Sequence, residues 1–195
     1  MTANSKITPV HDFLVKLPKK FKDSFKMAGK EFYLESKFRE FENRYCYGEV
    51  VGVPLKHETP VRVGDILYFH HHVVLDARAE IDKNLYLVRY SKTGGHGTQA
   101  YAYKRNGQLR LFSDWVFVGI EKEEGEKTNS GIILLQPSVK KNIATILYES
   151  DELDREGIKK GDKVYFANNA DYEMELEGET VYRMRIDDIL YAEKA

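Results

Sequence analysis

An all-β fold, a barrel or a sandwich, is predicted by three observations. Apolar residues fall in short runs, the runs are rich in β-branched and aromatic types, and Gly, Asp, Asn and Pro separate them. In chain order the runs are Phe13-Leu14-Val15, Val50-Val51-Gly52-Val53, Ile66-Leu67-Tyr68-Phe69, Leu85-Tyr86-Leu87-Val88, Val116-Phe117-Val118, Val164-Tyr165-Phe166 and Ile189-Leu190-Tyr191. Each has strand length and falls short of a packed helix. Lys30 to Tyr45 and Ser150 to Gly157 have helical character, but the apolar spacing of the first fits neither period, and it reads as an insertion of uncertain form.

With 195 residues, 42% of them hydrophobic, the chain is long enough for one large or two small domains with buried cores. Its 30 basic and 31 acidic residues leave a net charge of −1, so no global field steers it towards nucleic acid or an anionic membrane. Partners are found by shape and local patches. The single cysteine, Cys46, excludes an internal disulfide and a cysteine-rich zinc site, which fits a reducing compartment. Met1 to Ile7 lack the apolar stretch of a signal peptide, and no apolar run approaches the ~18 residues of a membrane span. A cytoplasmic location is the expectation.

The chain also repeats itself. Val63-Gly64-Asp65-Ile66-Leu67-Tyr68-Phe69 returns as Lys160-Gly161-Asp162-Lys163-Val164-Tyr165-Phe166, in each case a Gly-Asp turn feeding an alternating strand. His11-Asp12-Phe13-Leu14-Val15 has a looser echo in Ser113-Asp114-Trp115-Val116-Phe117. Two matched pairs in the same order and at similar spacing favour a duplicated β domain.

The ordered motifs resemble the GroES, or ten-kilodalton co-chaperonin, family. Pro9 to Lys16 resembles that family's opening strand, Tyr47-Gly48-Glu49-Val50-Val51-Gly52-Val53 its central strand, and Val61 to Phe69 its Gly-Asp strand. In the second copy Ser130-Gly131-Ile132-Ile133-Leu134 is similar to the mobile-loop tip, and Gly157 to Phe166 to the Gly-Asp strand. Glu173 to Glu179 and Ile186 to Ala192 resemble the last hairpin and the terminal strand. The resemblance covers most of the chain. It implies two GroES-like, partly open β-barrels in tandem with mobile loops, the first over residues 1–108 with an inserted loop at 27–45, the second over 109–195.

Departures accompany the match. Asn142-Ile143-Ala144-Thr145-Ile146-Leu147 stands where the second copy should carry Gly-Glu-Val, and neither copy shows an extra hairpin before its Gly-Asp strand. The second point implies an open or thin roof, as in some phage-encoded relatives. Leu109 to Ile120 suits both the last strand of copy one and the first strand of copy two.

The resemblance implies a lid. Gly131, Ile132, Ile133 and Leu134 would order against an apolar groove of a GroEL-like chaperonin in its nucleotide-bound form, each buried side chain contributing roughly 1.5–3 kcal/mol. Ordering the loop costs about 2–5 kcal/mol, so one loop binds weakly. A homo-oligomeric ring engages several loops together and closes the cage over an unfolded client protein. In copy one the corresponding tip is Phe32, Tyr33 and Leu34, whose aromatic groups demand a wider groove. The plain alternatives are a buried strand for Ile132 to Leu135 and a packing segment for Phe32 to Leu34.

Other constellations point less far. His70-His71-His72 offers imidazoles at alternate strand positions, yet no carboxylate or second histidine pair lies at matching spacing, so an exposed strand end or lumen-facing patch is expected and no metal. Lys92 to Thr98 is Gly-rich but lacks the Gly-Lys-Ser/Thr continuation that cradles phosphate. The basic stretch Lys16 to Lys22 and the charge run Glu121 to Lys127 read as solvated segments, with no nucleic acid or membrane partner. Neither a nucleophile elbow, a Ser-His-Asp order nor paired carboxylates in an apolar setting is present, and no cofactor is implied, so a non-enzyme is expected. The rival reading is a structural assembly protein, such as a virion or tail component reusing the barrel. A carbohydrate-binding module rests only on 13 Tyr and 10 Phe.

Overall fold

The computed structural model describes residues 7–19, 24–27, 30–33, 44–91, 97–112, 114–120, 142–148 and 150–195. The chain divides into two compact units, Met1–Phe112 and Ser113–Ala195. Every strand pairing among the described residues is antiparallel.

The first unit is built from β1 (Phe13–Lys16), β2 (Ser24–Met27), β3 (Lys30–Tyr33), β4 (Tyr47–Gly52), β5 (Ile66–Phe69), α1 (His72–Leu75), β6 (Glu80–Asp82), β7 (Leu85–Val88), β8 (Ala100–Arg105) and β9 (Gln108–Leu111). Seven of these strands form one sheet in the order β6-β7-β1-β4-β5-β8-β9, and β2 and β3 pair only with each other. Phe13, Leu14 and Val15 are successive residues with no exposed surface, so β1 is covered on both faces. Part of that cover is aromatic, since the Phe13 ring lies 4.8 Å from Tyr90 and 6.2 Å from Phe112. The β8–β9 reversal is an Asn106-Gly107 turn with φ of 50° and 81°, the left-handed pair that two-residue hairpins require.

The second unit holds β10 (Trp115–Ile120), β11 (Ile143–Ile146), α2 (Asp151–Arg155), β12 (Lys163–Phe166), β13 (Tyr172–Leu176), β14 (Glu179–Arg185) and β15 (Ile189–Glu193). Its sheet runs β13-β14-β10-β11-β12-β15. The core gathers Val116, Val118, Ala144, Ile146, Leu153, Val164, Phe166 and Met184. Leu153 reaches it from α2, whose start is fixed by Ser150: the Ser150 Oγ accepts from the Leu153 N–H at 3.2 Å. Across the β10 and β14 strands Trp115 is flanked by two guanidinium groups, Arg183 at 4.9 Å and Arg185 at 4.5 Å from its ring.

The two sheets share a strand order. Replacing β1, β4, β5, β6, β7 and β8 by β10, β11, β12, β13, β14 and β15 converts the first six positions of one sheet into the other, and β9 is the addition in the first unit. The segment Leu109 to Ile120, which suits two roles by sequence, splits into β9 of one unit and β10 of the next. The chain is nearly all β, as expected. Among the described residues, strand pairing gives two sheets that do not close, with β6 and β9 ending one and β13 and β15 the other. Of the stretches with helical character, Lys30–Tyr33 is a strand, Asp151–Arg155 is a helix, and residues 34–43 lie outside the described residues.

Candidate functional site

The backbone geometry of the two Gly-Asp turns fixes how the units correspond. Gly64 and Gly161 adopt φ of 93° and 96°, a region closed to most side chains, and this turns the chain into β5 and β12. Asp65 Oδ2 accepts the Arg62 N–H at 2.7 Å, and Asp162 Oδ2 accepts the Lys159 N–H at 2.9 Å. The neighbouring strand answers in kind. The Val50 N–H donates to Asp65 O at 2.8 Å while Val50 O accepts from Gly64, and Ile146 makes both bonds with Asp162 and Gly161 at 3.0 Å.

The remaining carboxylate oxygen is taken from the end of β8 in the first unit and from the residues after β15 in the second. Asp65 Oδ1 accepts Arg105 Nε at 2.8 Å and its Oδ2 accepts Arg105 Nη2 at 2.6 Å, whereas Asp162 Oδ1 accepts the Ala195 N–H at 3.0 Å. The Arg105 guanidinium holds the Asp65 carboxyl below the usual carboxylate range, and backbone donation from Ala195 and Lys159 does the same for Asp162. Both acids are ionised anchors saturated with donors. Neither is poised to take up or release a proton near neutral pH.

The correspondence locates the predicted site residues. β10 and β11 are neighbours, with Val118, Gly119 and Ile120 opposite Ile146, Thr145 and Ala144, so the chain leaves the sheet after Ile120 and re-enters beside it at Ile143. Gly131, Ile132, Ile133 and Leu134 belong to this connection and lie outside the described residues. In the first unit the matching neighbours are β1 and β4, with Lys16 opposite Glu49, and their connection contains the β2–β3 hairpin. Phe32 and Tyr33 are in β3, where Tyr33 is 82% exposed; Leu34 lies outside the described residues. Met27 and Lys30 are register partners, so the reversal falls between them and Phe32 and Tyr33 stand on the returning strand of the hairpin.

Some surface features carry little sequence signal. Leu190 and Tyr191 on β15 are 66% and 56% exposed, and the Tyr191 ring stacks on Tyr165 at 4.1 Å with planes 15° apart. Beside them a cavity of about 530 Å³ is lined by Glu152, Ile158, Ile189, Leu190 and Lys194 among others. An apolar run such as Ile189-Leu190-Tyr191 reads as core, and only the strand's place at the end of the sheet exposes it. His70, His71 and His72 do not form a continued strand, because the chain turns out of β5 into α1 there.

No helix among the described residues is long and apolar enough to cross a membrane. No curated protein matches the chain. Residues 108–192, which contain the whole second sheet up to Ala192 and both flanks of the Gly131 to Leu134 segment, match the family of the chaperonin 10 Kd subunit, Cpn10.

Proposed function

We propose that the protein is a co-chaperonin that forms a ring-shaped lid on a GroEL-like chaperonin and assists ATP-dependent folding of a client enclosed beneath it. The observation that carries this reading is the Cpn10 match over residues 108–192, which supports a co-chaperonin function for the part of the chain holding Gly131 to Leu134. The tandem reading, residues 1–108 as one GroES-like repeat and 109–195 as a second, is supported by the common strand order and the atom-for-atom likeness of the two Gly-Asp turns. Chaperonin contact is assigned to Ile132, Ile133 and Leu134, with Phe32, Tyr33 and Leu34 in the corresponding connection of the first unit. Long connections between adjacent strands suit this role. Their ends are tied to neighbouring strands of one sheet.

The mechanism is binding, with no catalytic step and no cofactor of its own. Each aliphatic tip contributes roughly 1.5–3 kcal/mol per buried side chain against a loop-ordering cost of about 2–5 kcal/mol, so only a ring of tips holds the lid in place. A change in the chaperonin's nucleotide state that weakens every tip slightly then releases the whole ring.

The test is co-elution of the purified chain with a GroEL-like chaperonin in ATP, in ADP and without nucleotide, followed by electron microscopy. Nucleotide-dependent caps are expected. Rings or tubes of the chain with no chaperonin affinity would replace this reading with the structural assembly protein. Undiminished capping by Ile133→Asp would refute the tip assignment alone.

A further inference from the structure

On an extended strand His70 and His72 would share one face and His71 the other, which removes any common centre. The structure breaks this alternation. His70 follows β5, His71 adopts φ −57° and ψ −24°, and His72 opens α1, so three successive imidazoles fan round a single turn. Their ring centroids form a near-equilateral triangle: 4.4 Å between His70 and His71, 4.2 Å between His71 and His72, and 4.5 Å between His70 and His72. One nitrogen from each ring lies within 4.8 Å of the other two.

We propose that His70, His71 and His72 form a binding site for one divalent first-row transition-metal ion of the zinc, nickel and copper class. The proposal goes beyond the co-chaperonin reading and is independent of it. Three neutral imidazoles and no carboxylate make a borderline-soft donor set, which disfavours magnesium and calcium. Zinc–nitrogen bonds of about 2.0–2.1 Å put tetrahedral nitrogen ligands roughly 3.4 Å apart. The His70 and His72 rings are stacked with planes 9° apart, so their in-plane lone pairs run side by side, and the rings must turn to bring the nitrogens to that spacing round one ion.

The backbone beneath the rings is already fixed. The His70 N–H donates to Gln99 O at 2.9 Å, and the carbonyls of His70, His71 and His72 accept from Val73, Val74 and Asp76 at 3.0, 3.3 and 3.1 Å. Val73 and Val74 are buried and anchor α1. On such a frame the reorganisation that closes the site on an ion is confined to the side chains. Exposure is graded, His71 buried, His70 half-buried and His72 exposed, so an ion enters from the His72 side and keeps water on its open face.

A hydrogen bond of His70 must exchange. His70 Nδ1 accepts the His72 N–H at 3.1 Å, which commits that lone pair and places the proton of the neutral ring on Nε2. Ligation by His70 therefore turns its ring and releases the His72 amide, a first-turn donor at an exposed position that water satisfies.

The experiment uses the full chain without an affinity tag and titrates it calorimetrically with Zn²⁺, Ni²⁺ and Mg²⁺. Saturable binding of one Zn²⁺ or Ni²⁺ per chain is expected, with no Mg²⁺ binding, and at least a tenfold loss of affinity in the His70→Ala/His72→Ala double variant. His11→Ala and His57→Ala, whose rings meet at 5.8 Å elsewhere in the same unit, are expected to leave the affinity unchanged. Electron paramagnetic resonance of the Cu²⁺-loaded wild-type chain needs no variant and should show several coordinated imidazole nitrogens. Undiminished affinity in the double variant, dependence on His11 or His57, absence of saturable Zn²⁺ or Ni²⁺ binding, or a copper spectrum with one nitrogen or none overturns the proposal.

Discussion

Asp65 and Arg105 are joined by two short bonds, Nη2 to Oδ2 at 2.6 Å and Nε to Oδ1 at 2.8 Å, across 40 residues of sequence. The pair pins the Gly-Asp turn before β5 to the end of β8, and the same guanidinium donates to Pro60 O at 2.7 Å. A buried carboxylate held this way stabilises only while it is charged.

Asp65→Ala should therefore lower the stability of the protein by about 2–3 kcal/mol at pH 7, because it removes the charge-assisted bonds to Arg105 and the acceptor of the Arg62 N–H. The pH dependence has a definite sign. Since the folded-state pKa of Asp65 lies below its unfolded value, its contribution is fully present above the unfolded carboxylate value of about 3.9 and disappears as pH falls through the folded one. Urea midpoints of wild type and Asp65→Asn, followed by far-UV circular dichroism, should differ at pH 7 and converge in strong acid. A constant difference across that range would contradict the assignment.

Gly48 and Gly119 should answer oppositely to alanine. A Cβ at Gly48 would lie 2.6 Å from Val15 Cγ1 and 2.7 Å from the Lys16 carbonyl oxygen, which is backbone and cannot step aside. Gly48→Ala is expected to destabilise by about 1–3 kcal/mol. At Gly119 the nearest atom is Leu147 Cδ2 at 3.4 Å, an ordinary contact, so Gly119→Ala should stay within about 0.5 kcal/mol of wild type. Thermal melts of the two variants make the comparison.

The α2 start and its anchor are separable by substitution. Ser150→Ala removes the acceptor of the Leu153 N–H and should cost about 1 kcal/mol. Leu153→Ala empties a position with no exposed surface and should cost about 2–5 kcal/mol. Denaturant titration that ranks them in the reverse order would mean α2 is held by its cap and not by its core contact.

Tyr33→Asp isolates the first-unit segment. Tyr33 is 82% exposed on β3, so stability should change by less than about 0.5 kcal/mol. If the segment touches chaperonin, capping weakens by roughly tenfold or more, the equivalent of about 1.4 kcal/mol. Surface binding assays on immobilised chaperonin distinguish this from a silent hairpin.

Much of the fold was legible because it is written in local chemistry. Gly64-Asp65 and Gly161-Asp162 announce a left-handed glycine and a turn-closing carboxylate, and the structure realises both with the same bonds. The absent Gly-Glu-Val of the second copy was harder to place. Gly48 sits opposite Leu67, and Ala144 opposite Val164; these partners hold equal places after the two Gly-Asp turns, so Ala144 stands where Gly48 does. Side-chain crowding from Val15 sets the glycine, and crowding between strands leaves no trace in one strand's sequence. The backbone of the histidine triplet is hidden from sequence for a related reason. Alternation holds only for a strand that continues, and here Val73 and Val74 are buried in α1, which follows β5 directly. For Phe32 and Tyr33 the apolar spacing carried no period, and only pairing with β2 gives them a strand.

The departure and return of the Gly131 segment on adjacent strands, at Ile120 and Ile143, and of the Phe32 segment at Lys16 and Tyr47, frees both from the rest of the sequence. Paired anchors such as Ile120 with Ala144 and Lys16 with Glu49, about 5 Å apart, do not register the length of chain between them, and each doubling of that length costs only about 0.6 kcal/mol in closure entropy. Both stretches are thus natural cassettes. They can be exchanged, lengthened or re-lettered to suit a different groove while the sheets below go on folding as before.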